Sequence, residues 1–508
     1  LGFGGLKQLM IFYVPLKPTY LLVGYKMEDL NRILKRRIIN ETKYMDDDRA
    51  PYLHDRDRII FSRAFRRLAF KAQVVPASGR DTSDHIRTRL THSIEVMQIA
   101  SSIALDVNSD KKCKLDIDLI QAISLGHDIG HTAYGHIGER ALFKFIFGQD
   151  KNFGDKVRHN FQSLKMCCFL EKQYKPDFFG LNLTIATLDG ILKHSCFKDQ
   201  KEQTFYKEIF NSYQKIFWEE ETVDPRQIDS HNREKLNAIL FEYVSPLTCE
   251  GIIVSIADEI AQLCHDIEDI RRLGGFESVI GFYEMVREKG DEVEENLSEH
   301  TKVKEVYEDF VEVSRGVIKD KTGDVAKLER LYVKLMLNIC IPIVSKVIKT
   351  LQDMDGHSRN NLLKERYLGK FKNIKELKLE LKLSEGEIEL INYLEKVFNY
   401  YENKVLMKQP TVARWDIKGE ELYKELSEKL CKVFKNDEDL NIIDSNIRKD
   451  LEKSRNAGKE FEKSQKTLVK GVDELPIKFA VWDYLAGMTD NYIIKEYESL
   501  TFKHVEIG

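Results

Sequence analysis

Four side chains on three separated segments have the types that grip a divalent cation: His92 in RLTHSIEV, His127 and Asp128 in SLGHDIGH, and Asp258 in IVSIADEIA. Two imidazoles and two carboxylates hold an ion and leave coordination positions for water and substrate. Such a nitrogen and oxygen set suits Mn²⁺, Fe²⁺, Mg²⁺ or Co²⁺ better than a closed structural zinc site, which favours cysteine. Neighbours on a helix point about 100° apart, so the adjacent His127 and Asp128 need a local reason to coexist, and convergence on one ion supplies it.

A His-Asp pair alone occurs in many chains. The continuation GHDIGHTAYGHIGERA strengthens it, because His127, His131, His136 and Glu139 crowd together among Gly126, Gly130, Gly135 and Gly138. The glycines permit tight turns. His136 and Glu139, three residues apart, share a helix face, a spacing suited to a carboxylate that orients an imidazole or a water. The plainer reading of the cluster is a capped, histidine-rich turn.

The elements that must position these groups are helical by pattern. LDIDLIQAISLG places Ile120, Ile123 and position 127 on one side, and the His92 segment continues through Val96, Ile99 and Ile103 at helical steps. Both histidines thus lie at the edge of apolar stripes, where an imidazole without a partner is costly. In GIIVSIADEIAQLCHDIEDIRRL, Ile253, Ile256, Ile260, Leu263, Ile267 and Ile270 form one side, and Asp258, Gln262, His265 or Asp266, and Asp269 another. Solvent exposure is the ordinary reading of a polar stripe. The mostly apolar run around Asp258 argues for a functional one.

RTRLTHSIEVMQIA, ISLGHDIGHTAYGHIGE, HNFQSLK, GLNLTIATLDGILKHS and LTCEGIIVSIADEIAQLCHDIED, flanked by DRDRIIFSRAFRRLAFKAQV and VWDYLAGMTDNYIIKEY, occur in that order apart from the flanking pieces. Together they resemble the deoxyguanosinetriphosphate triphosphohydrolase family of HD-domain phosphohydrolases, over most of residues 43 to 275 and a short C-terminal patch. The resemblance implies hydrolysis of dGTP or another dNTP at the α-phosphorus, releasing deoxynucleoside and intact triphosphate. It implies His92, His127, Asp128 and Asp258 as metal ligands, His136 and Glu139 as the catalytic pair, and His131 as a histidine near the phosphates. It also implies that Arg89 binds phosphate, where Arg87 competes for the role, that Gln73 and Asp266 read the sugar 3′-hydroxyl, and that His159 lies on the phosphate side. Two departures stand out. Gln262 occupies a position where a tyrosine is common, which bears on substrate preference, and Thr132-Ala133 replaces a proline-containing pair.

The chemistry suits these residues. An anionic phosphate repels a nucleophile, so a site must neutralise charge and activate water; a metal does both. A guanidinium at Arg89 would grip phosphate oxygens. His136, held by Glu139, would donate a proton to the leaving 5′-oxygen or take one from water, and the sequence does not choose between these roles.

The chain has 508 residues, 10 prolines and a net charge of -4. Its abundant lysine and glutamate and long helical periodicity predict a mainly α fold; the resemblance implies an HD-domain helical core with an appended C-terminal helical region. The charge gives no global drive toward nucleic acid or membrane. No run of about 18 uncharged apolar residues occurs, so no membrane association is expected. Eight cysteines include the adjacent Cys167-Cys168 but no CxxC pair, which fits a reducing cytoplasm and no zinc ribbon. The expected organisation is an N-terminal extension over 1–42, a catalytic core over 43–290 with a charged variable insertion at about 195–247, and a C-terminal helical region over 291–508 packing back on the core. Residues 1–26, before Met27, read as a translated upstream extension or as a tail that packs on a partner. GDEVEENLSEHTKVKEVYEDF reads as a solvated helix or connector, and KNDEDLNIIDSNIRKDLEKSRNAGKEFEKSQK as a mobile segment.

The resemblance further implies a homo-oligomer, often a hexamer, with single-stranded DNA or a second dNTP as activating ligands that these motifs do not encode. Two other readings share the metal ligands: an HD-domain hydrolase of another nucleotide (a nucleotidase, or a cyclic-nucleotide or alarmone hydrolase), and a nucleotide-binding regulator without turnover.

Overall fold

The structure is a computed structural model and describes residues 32–39, 49–73, 87–148, 157–171, 180–195, 197, 200–220, 230–242, 246–274, 277–292, 301–320, 324–353, 384–400, 405, 409–436, 443–466, 469 and 472–501. Residues 1–31 and 40–42 of the N-terminal extension lie outside the described residues. Among them the fold is helical without a strand, and an isolated bridge pairs Ala72 with Thr88. They divide into two compact units, one holding Glu95–Ile120 and Ile252–Arg414, the other the described residues up to Ile94, Gln121–Gly251 and Trp415–Gly508.

In the first unit, Thr301–Asp320 packs along Val325–Asp353, and Glu277–Asp291 packs on both Thr301–Asp320 and Glu385–Tyr400. Phe282, Tyr283, Phe310 and Tyr332 are buried there. The charged stretch expected to be a solvated helix or connector is a helix from Thr301 onward, but not a wholly solvated one. It buries Val303, Val306, Tyr307 and Phe310, apolar residues at three and four residue steps that its charge content obscures. Val325–Gln352 is long and apolar enough to cross a membrane by length and composition, but 61% of its apolar 18-residue window is buried, as in a core helix.

The second unit carries the histidine-rich segment. Its helices include Pro51–Ile60, His136–Phe147, His159–Lys165, Ile185–Lys193, Gln200–Gln214, Ser230–Glu242, Ser445–Ser464, Leu475–Ala486 and Asp490–Thr501. Phe147, Phe161, Phe205, Tyr206, Phe479 and Trp482 form an aromatic core with ring pairs at tilted and edge-on angles. Aromatic side chains of the charged 195–247 section are buried among the described residues: Phe205, Tyr206, Phe210, Tyr213, Phe217 and Trp218 all face inward.

The stretch read as mobile is, over Ser445–Ser464, a helix packed against Leu475–Ala486. Leu451, Ser454, Ala457 and Phe461 make a narrow buried stripe at three and four residue steps, sufficient to dock a helix whose remaining surface is lysine and glutamate. Residues 437–442 of that stretch lie outside the described residues.

Candidate active site

The helix Arg89–Asn108 begins where the bridge between Ala72 and Thr88 ends, and Arg89 N–H donates to the Lys71 carbonyl at 3.0 Å. That pairing holds Lys71, Ala72 and Gln73 beside the start of the helix carrying Arg89 and His92. Gln73 is half-buried, and its Oε1 is shielded from solvent without a hydrogen-bond partner, an acceptor available to a ligand hydroxyl. His92 is buried one turn further along.

His127 follows directly on the helix Ile117–Gly126 and is fully buried. Its Nδ1 lies 2.6 Å from the Ser124 carbonyl, which can only accept, so Nδ1 carries the proton and Nε2 is the lone-pair nitrogen, the tautomer that a metal-ligating histidine needs. The rings of His92 and His127 are 5.8 Å apart, and His127 Nε2 lies 3.4 Å from Asp128 Oδ1. Asp128 receives a hydrogen bond from Arg89 Nη1 at 3.0 Å. Burial alone would raise the Asp128 carboxyl, but His127, His131 and Arg89 hold it well below the usual carboxylate range.

Gly130 turns the chain against the helix His159–Lys165, with a Cβ there meeting Ser163 N at 2.1 Å and the His159 carbonyl at 2.4 Å. No side chain fits. Tyr134 takes a left-handed φ of 60°, strained for a non-glycine residue, and Gly135 follows at 53°. The turn is held from outside: Asp490 accepts from Tyr134 N at 3.0 Å and from Ala72 N at 2.7 Å, Tyr134 stacks on Trp415 with centroids 3.9 Å apart, and Tyr423 O–H donates to the Ala133 carbonyl at 3.0 Å. One buried carboxylate thus ties the Gln73 segment to the histidine turn.

The turn delivers His136 as the first residue of its helix, where Glu139 accepts from His136 Nδ1 at 2.9 Å. Glu139 is fully buried and lies 2.8 Å from His131 Nδ1 and 3.2 Å from His159 Nδ1. Burial opposes its charge, yet His136, His159 and His131 hold its carboxyl well below the ordinary range. His131 stacks on His159 with centroids 3.7 Å apart and reaches Asp128 Oδ1 through Nε2 at 3.2 Å. Burial, with His131 and His194 nearby, keeps the His159 imidazole neutral, its pKa well below that of an ordinary histidine.

Gln73, Arg89, His92, His127, Asp128, His131, His136, Glu139 and His159 therefore all belong to one compact unit. Asp258 and Gln262 are half-buried on Cys249–Gly274, on the part of that helix assigned to the other unit. Asp266 is on the same helix, and its side chain lies outside the described residues. Two members of this neighbourhood escaped the sequence reading. Lys71 is buried, with its ammonium donating to the His131 carbonyl, and burial, with Arg67 nearby, lowers it to about 7. His194, buried after Ile185–Lys193, sits edge-on to His127 at 4.9 Å. The available signal was position: Lys71 is two residues before Gln73, and His194 ends the GILKHS segment.

The ligand atoms of His131, His136, Glu139 and His159 lie within 4.8 Å of one another, as do those of Asp128, His159 and His194. Both groups have the donor chemistry of a divalent-cation site.

Residues 89–263 match the family described as HD domain. The chain is 42% identical over 226 residues to a deoxyguanosinetriphosphate triphosphohydrolase-like protein of Wolinella succinogenes, covering 44% of this chain and 50% of the relative. A protein of the same name from Clostridium tetani is 38% identical over 251 residues, 49% of this chain and 53% of its own. One from Pelagibacter ubique is 49% identical over 162 residues, 32% and 39% of the two chains. The chain spans about half the length of the curated relatives it matches, or less.

Proposed function

We propose that this chain, which carries an HD domain and groups with the deoxyguanosinetriphosphate triphosphohydrolase-like HD proteins, is a metal-dependent dNTP triphosphohydrolase. In this reading water attacks the α-phosphorus of dGTP or another dNTP, the bond to the 5′-oxygen breaks, and deoxynucleoside and triphosphate leave. The observation that carries it is the buried Glu139 carboxylate against His136, His131 and His159, beside the pair of Asp128 and Arg89.

Each residue has a role in that reading. His92, His127, Asp128 and Asp258 would hold the divalent ion, Mn²⁺, Mg²⁺, Fe²⁺ or Co²⁺, and the fixed His127 tautomer and the ionised Asp128 fit it. Such an ion supplies Lewis acidity at a phosphoryl oxygen and acidifies water. His136, oriented by Glu139, moves the proton between water and the leaving 5′-oxygen. Arg89, His131 and His159 face the phosphates. Gln73, with its unsatisfied Oε1, and Asp266 take the 3′-hydroxyl. A homo-oligomer, hexameric in the fullest form of this reading, and stimulation by single-stranded DNA or a second dNTP belong to the same proposal. Light scattering and assays with those additions measure them.

The decisive experiment incubates metal-replete protein with each of the four dNTPs and with GTP and identifies both products. Deoxynucleoside with intact triphosphate is expected. Orthophosphate or pyrophosphate in its place would favour an HD-domain hydrolase of another nucleotide, and binding without turnover would favour a regulator.

A further inference from the structure

Asp490 opens the helix Asp490–Thr501 and is 5% exposed. A short polar side chain at a helix start ordinarily serves the free N–H groups of its own first turn. Here Thr489 does so, its Oγ1 accepting from Tyr492 N at 3.3 Å and its carbonyl from Ile493 N at 3.0 Å. Both Asp490 oxygens go elsewhere. Oδ2 accepts from Ala72 N at 2.7 Å and Oδ1 from Tyr134 N at 3.0 Å, partners 418 and 356 positions away in the sequence.

Each partner leads directly to a residue of the candidate site. Ala72 precedes Gln73, whose shielded Oε1 has no hydrogen-bond partner, and Tyr134 stands two residues before His136. The left-handed φ of 60° at Tyr134 is a conformation that persists only where neighbours impose it, and Asp490 holds the N–H of that residue. The two segments also meet at Arg89, which donates its N–H to the Lys71 carbonyl at 3.0 Å and lies where a Cβ on Gly135 would meet Nη2 at 2.9 Å. Lys71 adds a further link by donating its ammonium to the His131 carbonyl. Asp490 is itself anchored: the Gly487 carbonyl, three residues earlier, accepts from Arg67 Nη1 at 2.6 Å.

We propose that Asp490 is a positioning residue that sets Gln73 and His136 in one register, so that recognition of the sugar 3′-hydroxyl and movement of the proton at the 5′-oxygen are coupled through a single carboxylate. The inference rests on the reaction proposed above and assigns it a residue from the far end of the chain. Only a carboxylate of this size offers one acceptor oxygen to each of two backbone N–H groups; an asparagine would turn its N–H₂ toward one of them. Charge-assisted bonds of this kind are short and stiff, so a displacement of either segment is passed to the other.

The test compares each dNTP with its 2′,3′-dideoxy counterpart in wild-type and Asp490→Asn full-length protein. The wild type is expected to prefer the 3′-hydroxyl substrate in kcat/KM. In Asp490→Asn that preference should shrink about tenfold, and kcat on the dNTP should fall by about 10- to 10²-fold, as for a displaced reacting group. A carboxylate that only stabilised the fold would change the active fraction, which scales both substrates alike, so an unchanged preference overturns the proposal. In a Gln73→Ala background, Asp490→Asn should alter the preference no further, because it acts on the sugar through Gln73; an additional loss of equal size overturns it.

The wild type gives a second measurement that needs no variant to fold. A dNTP analogue with a methylene in place of the 5′-oxygen cannot lose its leaving group, and its 3′-deoxy form lacks the hydroxyl. Hydrogen–deuterium exchange at the amides of both Ala72 and Tyr134 should slow more with the first than with the second; a difference confined to Ala72 overturns the coupling. Product identity is scored separately. Products other than triphosphate with this exchange pattern would sink the proposed reaction and keep the coupling, and triphosphate release with a preference untouched by Asp490→Asn would do the reverse.

Discussion

Glu139 is the residue on which the site's electrostatics turn. It is a fully buried carboxylate that remains ionised because His136, His159 and His131 surround it. Glu139→Gln keeps the volume but places an amide N–H₂ toward imidazole nitrogens and removes the charge that orients His136. We expect kcat to fall by about 10²- to 10⁴-fold, the range for a mispositioned general acid or base. Metal content should be unchanged, and steady-state kinetics with elemental analysis checks both. A variant within twofold of wild type would remove Glu139 from the mechanism. Half of this was legible: the three-residue spacing of His136 and Glu139 predicts their contact, because residues so spaced share a helix face. The approach of His159 and His131 to the same carboxylate was not, because it depends on where a second helix and a strained turn come to rest.

At the scale of elements, the helix His159–Lys165 buries every residue, so it shows no alternation of apolar and polar faces for a pattern search to find. Its last residue explains how it stays folded. Lys165 pairs with Asp483 at 2.6 Å, its ammonium lies 3.6 Å from the Trp482 ring and 4.3 Å from the Tyr213 ring, and Tyr213 O–H also donates to Asp483. Burial nevertheless lowers the Lys165 ammonium to about 8, against the pull of Asp483. Between about 8 and the unfolded value of about 10.5, the unfolded chain holds a proton that the folded chain has lost, so this residue makes stability rise with pH across that window. The wild type minus Lys165→Met difference in urea midpoint should therefore increase from pH 8 to pH 10, by up to roughly 3 kcal/mol in free energy. A flat or falling difference would show that Lys165 keeps its charge. The docked helix Ser445–Ser464 carries the same lesson from the other side. Composition suggested mobility, whereas four residues at helical steps were enough to seat it.

At the scale of the molecule, the unit that holds the histidine turn draws on both ends of the sequence. Trp415 stacks on Tyr134, Tyr423 bonds the Ala133 carbonyl, and Asp490 bonds Ala72 and Tyr134. A chain ending at Arg414 would retain every candidate catalytic and metal-binding residue and lose all of these supports, while leaving the Lys165 charge without Asp483. Uncovering a buried charge of this kind costs about 3–5 kcal/mol, a large share of a typical domain's stability. We expect the truncated chain to lose cooperative thermal unfolding and all nucleotide hydrolysis; a fragment with the full-length Tm would show that the C-terminal segment is dispensable.

The sequence by itself determined the helical class, the helices that carry His92 and Asp258, the helix that His127 directly follows, and the contact between His136 and Glu139. All of these depend on spacing along one element, where geometry is fixed at 3.6 residues per turn. Tertiary structure decided the rest: Asp490 tying the Gln73 segment to the histidine turn, Lys71 on the His131 carbonyl, and His194 set against His159. Those contacts join residues tens to hundreds of positions apart. No local period encodes them, because they exist only where separately formed helices pack and leave a particular space between their side chains.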